Sequence, residues 1–322
     1  MRKKLGFMLA SVLTAVPAAN ITAAICLFNT AVSRSKASLE QTQGMTGVNW
    51  SKYAEEIGDM EIALSETRTD EFRIVSDDGL RLYGQYFKGA DGKSGDIKRI
   101  AICFHGYTGH GGGNNSAAAR FFLENGFDVL LPDARAHGMS DGEYIGFGCL
   151  DRYDGLAWIR FLQNKYRAED MEGRLEIYLY GVSMGGATVC MMSGLELPDC
   201  VKGIISDCAF TSPEAMFELV LKNKYHVPPA PVLMAANLVC RRYAGYALND
   251  CDAAKEVRKA KAPMLFIHGA ADSFIPESMC HTLYDNCAAK KDILIIDGAV
   301  HAEAYYKDRR AYEDKMREFL DI

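Results

Sequence analysis

Beyond residue 70 the chain alternates short apolar runs with longer segments of helical character. Two runs, 72–75 and 80–87, flank a polar glycine turn and predict an antiparallel hairpin. Six later runs predict strands, at 100–104, 127–131, 176–180, 201–206, 264–268 and 293–296. Because helices alternate with these strands, the pattern predicts an α/β fold with a mostly parallel sheet and helices on both faces.

The segments between the strands predict five helices, at 115–125, 150–166, 184–195, 278–288 and 309–320. The interval from 208 to 262 is too long for a plain crossover, and it contains prolines and two apolar pieces. We interpret residues 208–262 as a small helical lid, with additional surface helices as the alternative.

The amino-terminal part of the chain has a different pattern. Residues 5–32 contain no charged side chain, and Arg2, Lys3 and Lys4 precede them. This stretch is long enough to span a bilayer, so we expect residues 1–33 to form a single-pass membrane anchor. The positive cluster predicts a cytoplasmic amino end and a large extracytoplasmic domain. A cleaved signal peptide and a secreted protein are the alternative.

We therefore expect three parts: the anchor, a polar connector over residues 34–70 with one helix near 50–64, and a domain over residues 71–322. The 322 residues are 49% hydrophobic and 24% charged, which suffices for a large core. The net charge of −6 argues against nucleic acid as a partner, because such binding requires neutralisation of phosphates.

Ten cysteines are scattered along the chain without the close spacing that metal sites show. Several lie in apolar contexts and are expected in the core. The sequence spacing leaves one candidate disulfide, between Cys240 and Cys251. The histidines are also dispersed, so we expect no metal ion and no cofactor.

The most informative motif is Gly-Val-Ser-Met-Gly at residues 181–185, between a predicted strand and a predicted helix. A serine between two glycines at such a corner is typical of a nucleophile elbow. The small neighbours let the backbone pass closely while the Ser183 hydroxyl projects from the sheet. A glycine-rich turn with a solvated serine is the alternative.

A serine nucleophile needs a base, and the base needs an acid that orients it. Asp272 and His301 each follow a predicted strand, and they come after Ser183 in the order of hydrolases with this elbow. We expect them to be the acid and the base, because parallel sheets gather reactive groups at their carboxyl edge. Asp207, which also follows a strand, is the rival acid.

Acyl transfer also requires donors for the oxyanion that develops. The backbone N–H of Met184 and that of Tyr107 are our candidates. Tyr107 lies in the glycine-rich segment 105–113, which lacks the lysine and the spacing of a phosphate-binding loop. A nucleotide cofactor is therefore not expected.

Five motifs occur in a characteristic order: His-Gly-Tyr-Thr-Gly at 105–109, Asp133 to Ser140, the serine motif, His-Gly-Ala-Ala-Asp at 268–272 and Gly-Ala-Val-His at 298–301. Together they resemble the α/β-hydrolase superfamily over residues 71–322. Within it the chain looks like bacterial membrane-anchored or secreted serine hydrolases, S33 aminopeptidase-like and esterase-like. The resemblance implies eight strands with the second antiparallel, a lid after strand six, and the three residues above as a triad. Ala136 departs from the family, which usually has glycine there.

The fold carries many chemistries, so the substrate is not selected by it. The leading hypothesis is a serine hydrolase that cleaves small carboxylic esters through an acyl-serine intermediate. A peptidase or amidase is the first alternative, in which Glu143 or Glu214 could bind a peptide amino end. A thioesterase or acyltransferase is a second alternative, and a non-catalytic binding protein on the same fold is a third.

Overall fold

The computed structural model describes residues 19–34, 48–89, 97–111, 115–169 and 173–322. Its strands are β1 (Arg68–Val75), β2 (Arg81–Phe87), β3 (Lys98–Phe104), β4 (Asp128–Pro132), β5 (Leu175–Val182), β6 (Val201–Asp207), β7 (Met264–Gly269) and β8 (Lys291–Ile296). From residue 48 onward its α-helices are α1 (Ala54–Thr67), α2 (Ser116–Glu124), α3 (Asp151–Ala168), α4 (Met184–Met192), α5 (Pro213–Asn223), α6 (Pro229–Tyr243), α7 (Ala253–Glu256), α8 (Glu277–Asn286), α9 (Ala304–Lys307) and α10 (Arg309–Leu320).

The eight strands form one sheet in the order β1-β2-β4-β3-β5-β6-β7-β8. Strand β2 runs antiparallel to both its neighbours, and from β4 to β8 every adjacent pair is parallel. The predicted fold class, with eight strands and an antiparallel second strand, is confirmed. The carboxyl ends of the central parallel strands therefore meet at one edge of the sheet.

Helices cover both faces because side chains alternate along each buried strand. In β3, Ile100 and Ile102 face a core that includes helices α3, α4 and α8. Ala101 and Cys103 face a second core, which includes helices α2 and α10. All four of these side chains are fully buried, as a strand between two helical layers requires.

The described part of the amino-terminal segment does not form a membrane span. Residues 19–27 are helical, and a short π-helix, Phe28–Val32, follows. No helix of the described ranges has the length and apolar character to span a bilayer. Apolar side chains near its end pack on the domain: the ring centroid of Phe28 lies 5.2 Å from that of Tyr144, and Val32 is 1% exposed. The predictions of a single-pass anchor, a membrane contact and a membrane location with an extracytoplasmic domain are wrong. Residues 5–18 of the predicted span lie outside the described residues.

The interval between β6 and β7 contains three helices, α5, α6 and the short α7. Helix α5 begins with Pro213 and helix α6 with Pro229. At the first position of a helix the missing N–H of proline removes no helical hydrogen bond. Ser212 caps α5 by accepting a hydrogen bond from the backbone N–H of Ala215. We refer to α5 and α6 as the lid helices because they lie in the interval predicted as a lid, and the lid itself stays a prediction.

A disulfide joins the carboxyl end of the lid interval to the loop that precedes α3. It connects Cys149 to Cys251, which are 102 residues apart in sequence. Cys240, the partner suggested for Cys251 by sequence spacing, is buried with a free thiol. The distant cysteine is the partner because the fold places its Cα 5.5 Å from that of Cys251.

Candidate active site

Ser183 lies at the sharp turn between β5 and α4. Its backbone has a φ of 56°, an unfavourable angle for a residue with a side chain. A Cβ at position 185 would meet the carbonyl oxygen of Phe104, and one at position 181 would meet the carbonyl oxygen of Gly185. Only glycine fits at these two positions, so the local sequence permits the turn that presents the serine.

The structure brings the side chains of Ser183, His301 and Asp272 into one line of hydrogen bonds. His301 Nδ1 lies 2.7 Å from Asp272 Oδ2, and His301 Nε2 lies 2.9 Å from Ser183 Oγ. Because the carboxylate can only accept, Nδ1 donates to it and Nε2 is left to accept from the serine hydroxyl. This arrangement can remove a proton from the serine as its oxygen attacks an acyl group.

Asp272 is held from several sides. Its Oδ1 accepts hydrogen bonds from the backbone N–H groups of Phe274 and Ile275, at 2.9 and 2.8 Å. Burial alone would raise the pKa of Asp272, but hydrogen bonds from His268 and His301 outweigh it and hold the pKa well below its usual range. The carboxyl group therefore stays ionised at neutral pH and can accept the hydrogen bond from His301 Nδ1.

His268 is a contact that the sequence reasoning missed, since its His-Gly corner suggested only a structural role. Its Nε2 lies 3.3 Å from Asp272 Oδ2 and 2.8 Å from the carbonyl oxygen of Ile275. Both partners accept, so Nε2 carries a hydrogen. Burial would lower the pKa of His268, yet its bonds to Asp272 and Ile275 outweigh this and raise it. The sequence did contain a signal for this contact, because His268 and Asp272 are four residues apart at the end of one strand.

Asp207, the rival acid, makes different contacts. Its carboxylate accepts a hydrogen bond from the phenol of Tyr312 at 2.9 Å. Burial raises the pKa of Asp207 to about 6. Its backbone oxygen accepts from the N–H of Ser183 at 2.8 Å, so the residue supports the turn at the serine.

This raised pKa predicts a pH dependence of stability. Between about pH 4 and pH 6 folded Asp207 keeps a proton that the unfolded chain releases, so stability falls as the pH rises through this window. A rise in the pKa of Asp207 from 3.8 to about 6 corresponds to a loss of roughly 3 kcal/mol in the free energy of unfolding. We expect Asp207→Asn to remove this part of the loss when chemical unfolding is measured at pH 4.5 and 7.5. An equal loss in wild type and variant would contradict the assignment to Asp207.

The loop after β3 passes beside the nucleophile. A Cβ on Gly106 would lie 3.5 Å from Ser183 Cβ, which places the next residue, Tyr107, near the serine. His105 anchors this loop: its Nδ1 donates to the Gly106 carbonyl at 2.7 Å and its Nε2 accepts from the N–H of Ala134 at 2.9 Å. Burial, and then the nearby His137, lower the pKa of His105 to about 3, so it is neutral as these bonds require.

Aromatic side chains connect this loop to the lid helices. The Tyr107 ring stacks on Phe147, with centroids 5.6 Å apart and an interplanar angle of 22°. Phe147 in turn contacts Phe217 of α5 edge-on at 5.2 Å. Phe274 packs edge-on against the His301 ring at 5.1 Å. Aromatic rings thus pack on the loop that carries Tyr107 and on the His301 ring.

The segment after β4 stabilises loops, as its sequence suggested. Asp133 accepts from the backbone N–H groups of Gly111 and Met139, both at 2.8 Å. Arg135 forms a buried ion pair with Asp154, from its Nε to Oδ2 at 2.7 Å. Ala136, where relatives usually have glycine, has a φ of 59°, the left-handed conformation that glycine adopts without strain.

Two further expectations concern ligands. In the part of the chain that the structure describes, no three or more His, Cys, Asp or Glu side chains are grouped so that they could hold a metal ion. Glu214, considered for binding a peptide amino end, accepts a hydrogen bond from Asn237 at 3.1 Å and so links the two lid helices. Glu143 is exposed and its backbone oxygen is bonded to Arg34.

Comparison with known proteins identifies related families. The family model described as "Serine aminopeptidase, S33" matches residues 95–244, and the model "Serine hydrolase (FSH1)" matches residues 190–301. The Bacillus subtilis protein YqkD is 29% identical over 239 residues, covering 74% of this chain and 76% of that protein. Caffeoylshikimate esterase of Arabidopsis thaliana is 23% identical over 293 residues, covering 74% of this chain and 86% of the plant enzyme.

Solved structures show the same fold. The Pyrococcus furiosus esterase Pf2001 superposes with a TM-score of 0.63 at 18% identity, covering 82% of this chain and 92% of the esterase. Est1E from Butyrivibrio proteoclasticus, solved with ferulic acid, has a TM-score of 0.55 at 19% identity, covering 77% and 97%. The sheet and these structures show that the chain has the α/β-hydrolase fold, and the two family models show that it is similar to serine hydrolases.

Proposed function

We propose that the protein hydrolyses carboxylic esters through an acyl-serine intermediate, with Ser183 as nucleophile, His301 as general base and Asp272 as the acid that orients it. The observation that carries this proposal is the continuous hydrogen-bonded chain from Ser183 Oγ through the His301 ring to Asp272. The alternative acid, Asp207, bonds to Tyr312 instead.

In the first half of the reaction, Ser183 Oγ attacks the ester carbonyl carbon while His301 Nε2 takes the hydroxyl proton. The electron pair of the carbonyl moves to its oxygen, which becomes a tetrahedral oxyanion. The intermediate then collapses, the bond to the alcohol oxygen breaks, and His301 gives its proton to the departing alcohol. Ionised Asp272 stabilises the transient imidazolium, and the acyl group is left on Ser183.

In the second half, His301 removes a proton from water as the water oxygen attacks the acyl carbon. The second tetrahedral intermediate expels Ser183 Oγ, which recovers a proton from His301, and a carboxylic acid leaves. We propose that the backbone N–H groups of Tyr107 and Met184 donate to both oxyanions. The position of Gly106 beside Ser183 supports this, since it brings the start of the loop to the nucleophile.

We favour esters over amides because the described side chains around Tyr107 and His301 include the aromatic rings of Phe147 and Phe274, which suit an apolar acyl group. Several similar proteins also carry the name esterase, including the Pyrococcus furiosus and Arabidopsis thaliana proteins. A peptidase of the S33 type is the second candidate, and the family match over residues 95–244 is the observation that favours it. A panel of chromogenic esters and aminoacyl amides separates the two: we expect faster turnover of the esters, and a strong preference for the amides would reverse the assignment.

A fluorophosphonate probe tests the proposed nucleophile without knowledge of the substrate, because it reacts only with an activated serine. We expect the full-length chain to be labelled, and the Ser183→Ala and His301→Ala variants to lose labelling. Ser273→Ala and His281→Ala are matched controls, since both residues are exposed, and they should be labelled like the wild type. Absence of labelling in a folded wild-type protein would contradict the proposal.

A further inference from the structure

Residues 28–34, which we call the strap, are bound to the loop that follows β4. The backbone N–H of Arg34 donates to the Glu143 carbonyl at 2.6 Å, and the N–H of Ile145 donates to the Val32 carbonyl at 2.7 Å. Ser33 and Tyr144 form the antiparallel bridge between these bonds. The strap is therefore paired with the domain like a short added strand.

The Arg34 side chain extends this attachment. Its guanidinium donates to the carbonyl oxygens of Ser140 and Gly138, each at 2.7 Å, and to that of Gly142 at 3.3 Å. A guanidinium presents several donors in a fixed plane, so one side chain can hold three carbonyl groups of a curved loop. Lysine could not reproduce this geometry.

The strap also reaches the loop that carries the proposed oxyanion donor. The phenol of Tyr107 donates to the carbonyl oxygen of Ala31 at 3.1 Å. Burial raises the pKa of Tyr107 to about 12, so the phenol keeps its hydrogen at any working pH. The phenol also lies 3.5 Å from the carbonyl oxygen of Thr30, and the ring stacks on Phe147. Tyr107 is thus held at its tip by the strap and on its face by the domain.

The strap meets the lid as well. The Phe28 ring lies 5.9 Å from that of Tyr243 at the end of α6. Tyr246, beyond α6, donates its hydroxyl to the Ile145 carbonyl at 2.5 Å, and Ile145 is the residue bonded to Val32. Strap, loop and lid therefore form one connected unit around the oxyanion loop.

We propose that the strap is a positioning element of the active site: through the Ala31 carbonyl it fixes Tyr107, and thereby the backbone N–H that receives the oxyanion. The inference rests on the proposed function. A donor stabilises the developing charge only when its position is set before reaction, and loss of one such donor costs about 10²–10³ in kcat. A donor that is displaced but present should cost less, about tenfold.

The test uses the full-length chain and the Tyr107→Phe variant, which keeps the ring and its stack but removes the hydrogen bond to the strap. We expect kcat for a chromogenic ester to fall about tenfold while KM changes less than twofold, because the backbone N–H that the strap positions acts in the transition state. The rate of fluorophosphonate labelling should fall in parallel. Tyr225→Phe, at an exposed tyrosine outside this network, is the matched control and should keep wild-type kinetics.

A second pair of variants examines the strap itself. Arg34→Ala should lower kcat like Tyr107→Phe, and Arg34→Lys should restore only part of the loss. The double variant should lose little more than either single one, because both break the same connection. Unfolding curves check that each protein is folded, and Tyr107→Phe carries the test alone if Arg34→Ala does not fold.

The outcomes separate the two proposals. A labelled, active wild type with unchanged kcat in the folded Tyr107→Phe variant would overturn the role of the strap and leave the hydrolase intact. A folded wild type that neither reacts with the probe nor hydrolyses esters would overturn both.

Discussion

Replacing Ser183 with alanine is expected to lower kcat for ester hydrolysis by about 10⁶-fold, and replacing His301 should have nearly the same effect. The nucleophile and its base act as one unit, so removing either abolishes the acyl-serine route. What remains would come from oxyanion stabilisation and substrate binding, about 10³-fold over water. The measurement is kcat for one activated ester with each purified variant, and the double variant should be no slower than the single ones. Losses that multiply in the double variant would contradict a shared mechanism.

Asp272→Asn belongs to the same prediction and should lower kcat by about 10⁴-fold. The amide keeps the shape of the carboxyl group but can donate to His301 Nδ1, which would leave the other ring nitrogen protonated and unable to accept from Ser183. The matched control is Asp207→Asn, the rival acid at the end of the neighbouring strand. Because Asp207 contacts Tyr312 and not His301, we expect its variant to stay within about tenfold of wild type. The reverse ranking would make Asp207 the acid.

The second large effect concerns stability. Replacing both Cys149 and Cys251 with alanine is expected to lower the free energy of unfolding by about 4 kcal/mol. A disulfide that closes a loop of about 100 residues restricts the unfolded chain, and on the chain-entropy model this amounts to nearly 5 kcal/mol. For a protein of this size, such a change corresponds to a decrease in Tm of roughly 10 °C. Denaturant unfolding and thermal melts at equal protein concentration measure both quantities.

The control for lost sulfur packing is Cys103→Ala, at a buried free thiol of β3. It removes a side chain of the same size without opening a bridge, so it should cost clearly less than the double variant. Treating the wild type with a reductant should reproduce the double variant and leave that variant unchanged. If reductant has no effect on the wild type and thiol counting finds ten free cysteines, the bridge does not form.

Local sequence patterns were sufficient to locate the strands of the sheet. The apolar runs at 100–104 and 264–268 predicted strands that the structure places at Lys98–Phe104 and Met264–Gly269. Such strands are buried on both faces, so continuous apolar runs bounded by glycine or polar residues identify them. The glycines at 181 and 185 likewise predicted the turn at Ser183. Position 181 needs glycine because of the nearby Gly185 carbonyl, whereas position 185 needs it because of the Phe104 carbonyl, which only the fold brings close.

The amino-terminal prediction was wrong for a physical reason. An apolar stretch without charges suits a bilayer and a protein core equally, and sequence alone records the apolar character but not what covers it. The structure covers Phe28 and Val32 with the domain's own side chains and backbone. The disulfide shows the same limit: Cys251 lies nearer in sequence to Cys240, yet the fold places Cys149 beside it.

The sequence by itself therefore determined what depends on neighbouring residues: the strands and helices, the strained serine turn, and the order of Ser183, Asp272 and His301 as candidates. Only the tertiary structure decided which distant groups meet. It selected Asp272 rather than Asp207 as the partner of His301, placed His268 on that acid and joined the strap to Tyr107. These contacts are set by the spatial order of strands and by packing, and many arrangements of distant segments satisfy the same local patterns.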